Sequence, residues 1–116
     1  MVDPKYFEPI VDGMWRGVNV AGTSTDAYLE GWDVCGKTGT AQNPHGKDHS
    51  TFLSFAPRNN PRIAISVYVE NGGFGASAAL PIASLLEEFY LTDTIRRPEL
   101  FERIKNMNIY YPYYDR

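Results

Sequence analysis

One cysteine, Cys35, stands alone among 116 residues, so an internal disulfide framework is excluded and the single thiol says little about redox compartment. No apolar run approaches the roughly 20 residues needed to cross a bilayer, and the first residues lack the makings of a signal peptide. No basic run marks a membrane surface, and a net charge of -3 gives no reason to expect a nucleic-acid partner. Internal repeats are absent as well. What is present is length enough to bury roughly two-thirds of the unfolded chain's surface, which suits one domain or part of one with no metal or disulfide holding it.

Asp3-Pro4 is a helix-start signal, a carboxylate cap followed by a proline whose missing N–H costs nothing at the first helical position. Phe7, Ile10, Val11, Met14, Trp15 and Val18 then recur at three-and-four spacing, which predicts a helix over about 4–18 with one apolar face. Gly13 and Gly17 lie a turn apart on it, and two helical glycines at about 1 kcal/mol each imply close approach to a neighbour. Residues 21–31 read as a loop, 33–42 as a strand and 43–49 as a turn-rich connection. Thr51 to Phe55 and Arg62 to Glu70 read as further strands around the turn Arg58-Asn59-Asn60-Pro61. In the last of these, Ile63, Ile65, Val67 and Val69 predict one firmly buried face, with the other face open to cover too.

A glycine-rich turn at 71–75 leads into an apolar helix over about 76–91, where Pro81 marks either a restarted first turn or a kink. Leu80, Ala83, Leu85, Leu86, Phe89 and Tyr90 fit a helix lying across a sheet. A short helix over about 98–106 and an aromatic end without period follow. Short connections between successive strands imply an antiparallel meander, so the expected class is α+β, a three-stranded meander flanked by an N-terminal and a C-terminal helix.

Gly36-Lys37-Thr38-Gly39-Thr40-Ala41-Gln42 is the stretch that looks built for chemistry. Gly36 and Gly39 keep Cβ atoms off one edge of a strand, where a ligand chain could pair with backbone N–H and C=O groups. Lys37 adds a point charge with three donors, and the threonines add hydroxyls. Unpaired N–H groups on such an edge can also face a developing oxyanion.

Three rival motifs overlap or flank this stretch. Gly31-Trp32-Asp33-Val34-Cys35-Gly36-Lys37-Thr38 satisfies the P-loop pattern letter by letter, but a P-loop needs an apolar strand before it and a helix starting at its lysine. Tyr28-Leu29-Glu30 is a poor strand, and Gly39 with Pro44 opposes the helix. Gly73-Phe74-Gly75-Ala76-Ser77-Ala78 fits a dinucleotide fingerprint, without the second parallel strand and acidic residue that should follow about 20 positions on. His45, Asp48 and His49 are ligand types for zinc in a loop without helical spacing or an evident fourth ligand, so they read as solvated loop residues, with His49 bordering the Lys37 strand. No metal or cofactor is expected. Cys35 reads as a small apolar group packed inward.

K-T-G is a signature of penicillin-binding proteins and β-lactamases, together with S-x-x-K and S-D-N. Asp12-Gly13-Met14, Gly22-Thr23, Gly36 to Gln42, Phe55-Ala56-Pro57 and Val69-Glu70-Asn71-Gly72-Gly73 follow in that order. In this arrangement the chain resembles the C-terminal part of the transpeptidase domain of a class B penicillin-binding protein, the kind that cross-links peptidoglycan during elongation. The resemblance covers roughly 12–91. It implies a partial penicillin-binding/β-lactamase-like fold, with 1–93 as part of the transpeptidase domain and 94–116 as a C-terminal extension. It also implies an acyl-serine mechanism in which Lys37 joins the electrostatic and proton-transfer network and Thr38 binds the substrate or β-lactam carboxylate. Gly39 would leave room for the acyl chain, and the N–H of Thr40 would form half of the oxyanion hole. The implied ligands are peptidoglycan stem peptides and β-lactams, the implied partner is the rest of the domain, and the implied place is the periplasmic face of the cytoplasmic membrane, anchored by a segment not in this chain.

Six serines are present, and none is followed three residues later by lysine or two residues later by asparagine. The chain therefore reads as a piece of a D,D-transpeptidase, inert alone and prone to self-association. The alternatives left open are a non-catalytic binding or interaction module using the same strand edge and the tyrosine-rich tail, and a nucleotide-binding protein through Gly31 to Thr38.

Overall fold

The computed structural model describes residues 1–108 and consists of a three-stranded antiparallel sheet with helices against one face. Asp3 caps the first turn as its side chain accepts from the Lys5 N–H at 3.0 Å, and Pro4–Tyr6 form a 3-10 turn that runs into α1, Phe7–Asn19. The apolar stripe of α1 is only partly used. Val18 is buried and Val11, Met14 and Trp15 are half-buried, whereas Phe7 and Ile10 remain exposed at the far end. The two glycines of α1 differ. Gly17 lies under the loop, where a Cβ on Gly22 would stand 3.4 Å from its Cα, but Gly13 has open space around it, contrary to the expected close approach.

Between α1 and the sheet the chain forms a second 3-10 turn, Thr25–Ala27, that buries Ala27 and Leu29. The sheet follows as β1 Cys35–Ala41, β2 His49–Ala56 and β3 Ile63–Val69, in the order β1-β2-β3. Register pairs Thr38 with Phe52 and Thr40 with Ser50, and continues Phe52 to Val67 and Ser54 to Ile65. Ser50, Phe52, Ser54 and Ala56 therefore share the helix-covered face with Ile63, Ile65, Val67 and Val69, as a period of two requires, but the four β3 residues are only half-buried at the rim of the core because β3 is an outer strand. The other face of β3 is open. Ala64, Ser66 and Tyr68 are exposed, so among the described residues no cover lies on that side.

α2, Ala79–Thr92, lies across β2 and β3 on the core face. Pro81 occupies its third position, in the first turn, where no intrahelical donor is needed, as the first of the two expected placements had it. Leu80, Ala83 and Leu85 face inward as the sequence implied, but Leu86, Phe89 and Tyr90 are more than half exposed, and buried Ser84, Glu87 and Glu88 take the inward positions. Two carboxylates in the interior are tolerated because each has a donor. Ser54 Oγ bonds Glu87 at 2.8 Å, and Arg97 Nε bonds Glu88 at 2.8 Å. Arg97 also donates to Asp26 O and to Ser84 Oγ, tying α2 to the second 3-10 turn. α3, Pro98–Lys105, follows immediately and rests on α2 with Leu100 buried. The aromatic end beyond residue 108 lies outside the described residues.

Candidate functional site on the outer strand

β1 pairs with β2 on one side only, so its other edge is unpaired among the described residues. Which residues look outward follows from Gly75. A Cβ placed there would stand 2.5 Å from Thr51 O, 2.7 Å from Gly39 O and 2.8 Å from Gly39 N. These three atoms therefore share the gap between β1 and β2, and Gly39 pairs inward with Thr51. Backbone direction alternates along a strand, so the N–H and C=O groups of Thr38 and Thr40 face the free edge. Lys37 agrees with this: its exposed Nζ donates to Thr38 O at 2.7 Å.

The side chains divide by face. Thr38 and Thr40 lie on the same face as Phe52 and Ser50, while Lys37 and Gly39 share the helix-free face with Leu53 and Thr51. Gly36 leaves room for the core, not for a ligand as expected, since a Cβ there would meet the Phe52 ring at 2.5 Å. At Gly39 the place of a Cβ on the open face is taken by the Thr51 hydroxyl, so a side chain there would require Thr51 to turn aside. Gly22, at φ 139, lets the loop turn tightly over α1 and delivers Thr23, whose Oγ1 lies 2.8 Å from Thr38 Oγ1. One hydroxyl of such a pair donates to the other and the second keeps a free O–H, so together they still offer a proton to an anion. The sequence reading had Gly22-Thr23 only as part of a pattern; its contact with Thr38 was not foreseen.

Other candidates fall into structural roles. Ser24, Ser50, Ser54 and Ser84 are buried, and Ser50, Ser54 and Ser84 are each bonded to backbone, Glu87 or Arg97. Cys35 is buried, its thiol donates weakly to Asp33 O at 3.8 Å, and burial pushes it up to about 11, so it stays a neutral thiol. His49 Nδ1 accepts from the Asn71 N–H at 3.1 Å while its ring leans on Tyr68, and Asp48 accepts from the Asn43 N–H at 3.0 Å. Among the described residues no three potential ligands group around a metal position.

Both nucleotide motifs fail on geometry. Lys37 lies within β1, so no helix N-terminus presents amides to a phosphate after Gly36. At the second motif the start of α2 is already filled, since Ser50 Oγ accepts from the Ala79 N–H at 2.9 Å and donates to Phe74 O at 2.8 Å.

The outer strand carrying K-T-G lies within a segment that has relatives among known proteins. Residues 1–86 match the family described as the penicillin binding protein transpeptidase domain. The chain belongs to that family. The peptidoglycan D,D-transpeptidase MrdA of Haemophilus influenzae is 34% identical over 106 residues, covering 77% of this chain and 16% of that protein. Stage V sporulation protein D of Bacillus subtilis is 41% identical over 77 residues, 58% of this chain and 12% of that protein. Among solved structures, PBP2 of Pseudomonas aeruginosa superposes with a TM-score of 0.66 at 36% identity, over 80% of this chain and 20% of that one. Penicillin-binding protein A of M. tuberculosis, in an imipenem acyl-enzyme complex, superposes with a TM-score of 0.60 at 30% identity, over 74% of this chain and 19% of that one. The chain thus spans about an eighth to a fifth of these relatives, from 12% of one to 20% of another, and is part of a transpeptidase domain with the partial α+β fold expected from its sequence.

Proposed function

We propose that this chain forms the K-T-G wall of the active site of a peptidoglycan D,D-transpeptidase that cross-links stem peptides through an acyl-serine intermediate. The observation that carries the reading is the free edge of β1, where exposed Lys37 and the outward backbone of Thr38 and Thr40 stand together. Lys37 supplies positive charge beside the scissile bond. The Thr38 hydroxyl, backed by Thr23, binds the carboxylate of the stem peptide or of a β-lactam. The Thr40 N–H faces the carbonyl oxygen as charge develops on it, supplying one of two oxyanion donors. The nucleophilic serine and its lysine base come from a part of the domain that packs against this edge, at the periplasmic face of the cytoplasmic membrane.

Two measurements test this. Incubated with a large excess of a penicillin, the chain alone should keep its intact mass, and a stoichiometric adduct on any serine would defeat the reading. Grafted in place of the matching segment of the Haemophilus influenzae relative, it should support acylation. Lys37→Ala should then slow acylation by on the order of 100-fold or more, the scale of losing a preorganised electrostatic contact. Its effect on folding should stay within about 0.5 kcal/mol, because the side chain is exposed. A graft that folds and acylates equally well with and without Lys37 would remove the lysine from the mechanism.

A further inference from the structure

α2 begins without a local cap, since Ala78 precedes it and offers no side-chain acceptor. The cap comes instead from Ser50, whose fully buried hydroxyl accepts from the Ala79 N–H at 2.9 Å and directs its single proton at the carbonyl of Phe74 at 2.8 Å, with that of Gly75 beside it at 3.3 Å. The same hydroxyl therefore fixes both the helix start and the turn that leads into it. That turn reaches β1: the Gly75 N–H donates to Thr40 Oγ1 at 3.4 Å, and the glycine sits directly on the Gly39–Thr51 pair with no room for a Cβ. Ser50 is also the cross-strand partner of Thr40, so β2 and the turn hold the same threonine from two directions.

We propose that Ser50 and Gly75 are positioning residues for the outward N–H of Thr40. An oxyanion donor works by being held still before charge arrives, so its value depends on what grips it from behind. β1 is an outer strand with exposed ends at Thr40 and Ala41, and alone it would fray there. The Thr40 hydroxyl, facing away from the free edge, is the handle by which the core restrains the amide facing toward it. The role given to the Thr40 amide rests on the transpeptidase reading above, whereas the restraint itself is a property of this chain.

The test is backbone 15N relaxation on the full chain, free of any ligand. Wild-type Thr38, Gly39 and Thr40 should show order parameters near the rigid value of about 0.85, and Thr40→Val should drop those of Thr40 and Gly75 toward about 0.6, with β3 unchanged. Thr40→Ser, which keeps the hydroxyl, should restore them. Ser50→Ala should loosen Thr40 in the same way, and Thr40→Val, at an exposed position, keeps the inference falsifiable if Ser50→Ala fails to fold. Unchanged order at Thr40 in the valine variant, or failure of serine to restore it, would overturn the proposal. Loss of acylation in the graft with normal order at Thr40 would instead count against the transpeptidase reading, so the two failures are distinguishable.

Discussion

Ser54 donates its hydroxyl proton to Oε2 of Glu87 at 2.8 Å, while Oε1 of the same buried carboxyl has no partner among the described residues. The interior carries a titratable group that is only half satisfied. Burial pushes it up to about 7 from an ordinary 4.5, against the pull of the serine bond. Below 4.5 both folded and unfolded chains hold this proton. Between there and about 7 the unfolded chain releases it first, so stability falls as pH rises, by on the order of 3 kcal/mol in total. Glu87→Gln should abolish that contribution and make the chain more stable than wild type at pH 8, with little difference at pH 4.5. Urea titrations of both proteins at several pH values measure it, and parallel stability curves would show that Glu87 titrates normally.

Gly75 and Gly13 make a matched pair for the cost of a methyl group. At Gly75 a Cβ would lie within 2.8 Å of three backbone atoms that have no freedom to turn aside. Gly75→Ala should destabilise by roughly 1–3 kcal/mol, as forced overpacking does, and should lower amide protection between β1 and β2 before that between β2 and β3. Gly13 has nothing within 4 Å and an exposed helical position, so Gly13→Ala should stabilise by roughly 0.5–1 kcal/mol. Denaturation midpoints of opposite sign are the expected result, and equal shifts would mean that the close approach at Gly75 relaxes freely.

The order and kind of the elements were legible in the sequence because periodicity reports them directly. Ile63 to Val69 alternate, Asp3-Pro4 caps, and Arg58 to Pro61 turn. The candidate site was legible for a different reason, since Lys37 and its neighbours are local in sequence and need only a strand to line up. What stayed hidden depends on long-range partners. Hydropathy turned Leu86, Phe89 and Tyr90 inward, but the phase of α2 is set by Ala79, Leu80 and Ala83 packing on the sheet, which carries Glu87 and Glu88 in with them. Those carboxylates are acceptable only because Ser54 and Arg97 wait at positions no local pattern links to them. The same holds for Ser50, which caps a helix 29 residues away, a separation that no capping rule reads.

Arg97 is the case in which one side chain holds several elements. It neutralises buried Glu88 and donates to Asp26 O and Ser84 Oγ. Arg97→Met would leave an uncompensated carboxylate in the interior, so a loss of about 3–5 kcal/mol is expected. Adding Glu88→Gln should recover part of it, because the charge is then gone. Thermal melts of the two single variants and the double variant form the cycle, and strict additivity would show that the pair is not coupled.

Association of the chain with itself follows from the two outer strands. The outward N–H and C=O groups of Thr38 and Thr40 are a ready template for another strand, and the helix-free face beside them exposes Leu53 and Tyr68 to 51% and 55%. Two copies meeting edge to edge along β1 would satisfy those backbone groups and continue the sheet, while contact through the outer edge of β3 would leave β1 free. Proline separates these cases. Thr40→Pro removes an N–H that faces the free edge and costs no bond to β2, so a folded Thr40→Pro chain should lose association through β1 but keep association through β3. Sedimentation of wild type across a wide concentration range should show a dimer or larger species, shifting toward monomer in the proline variant. A wild-type chain that sediments as a clean monomer throughout would show that these edges and the exposed apolar face are adequately protected by their twist and short length.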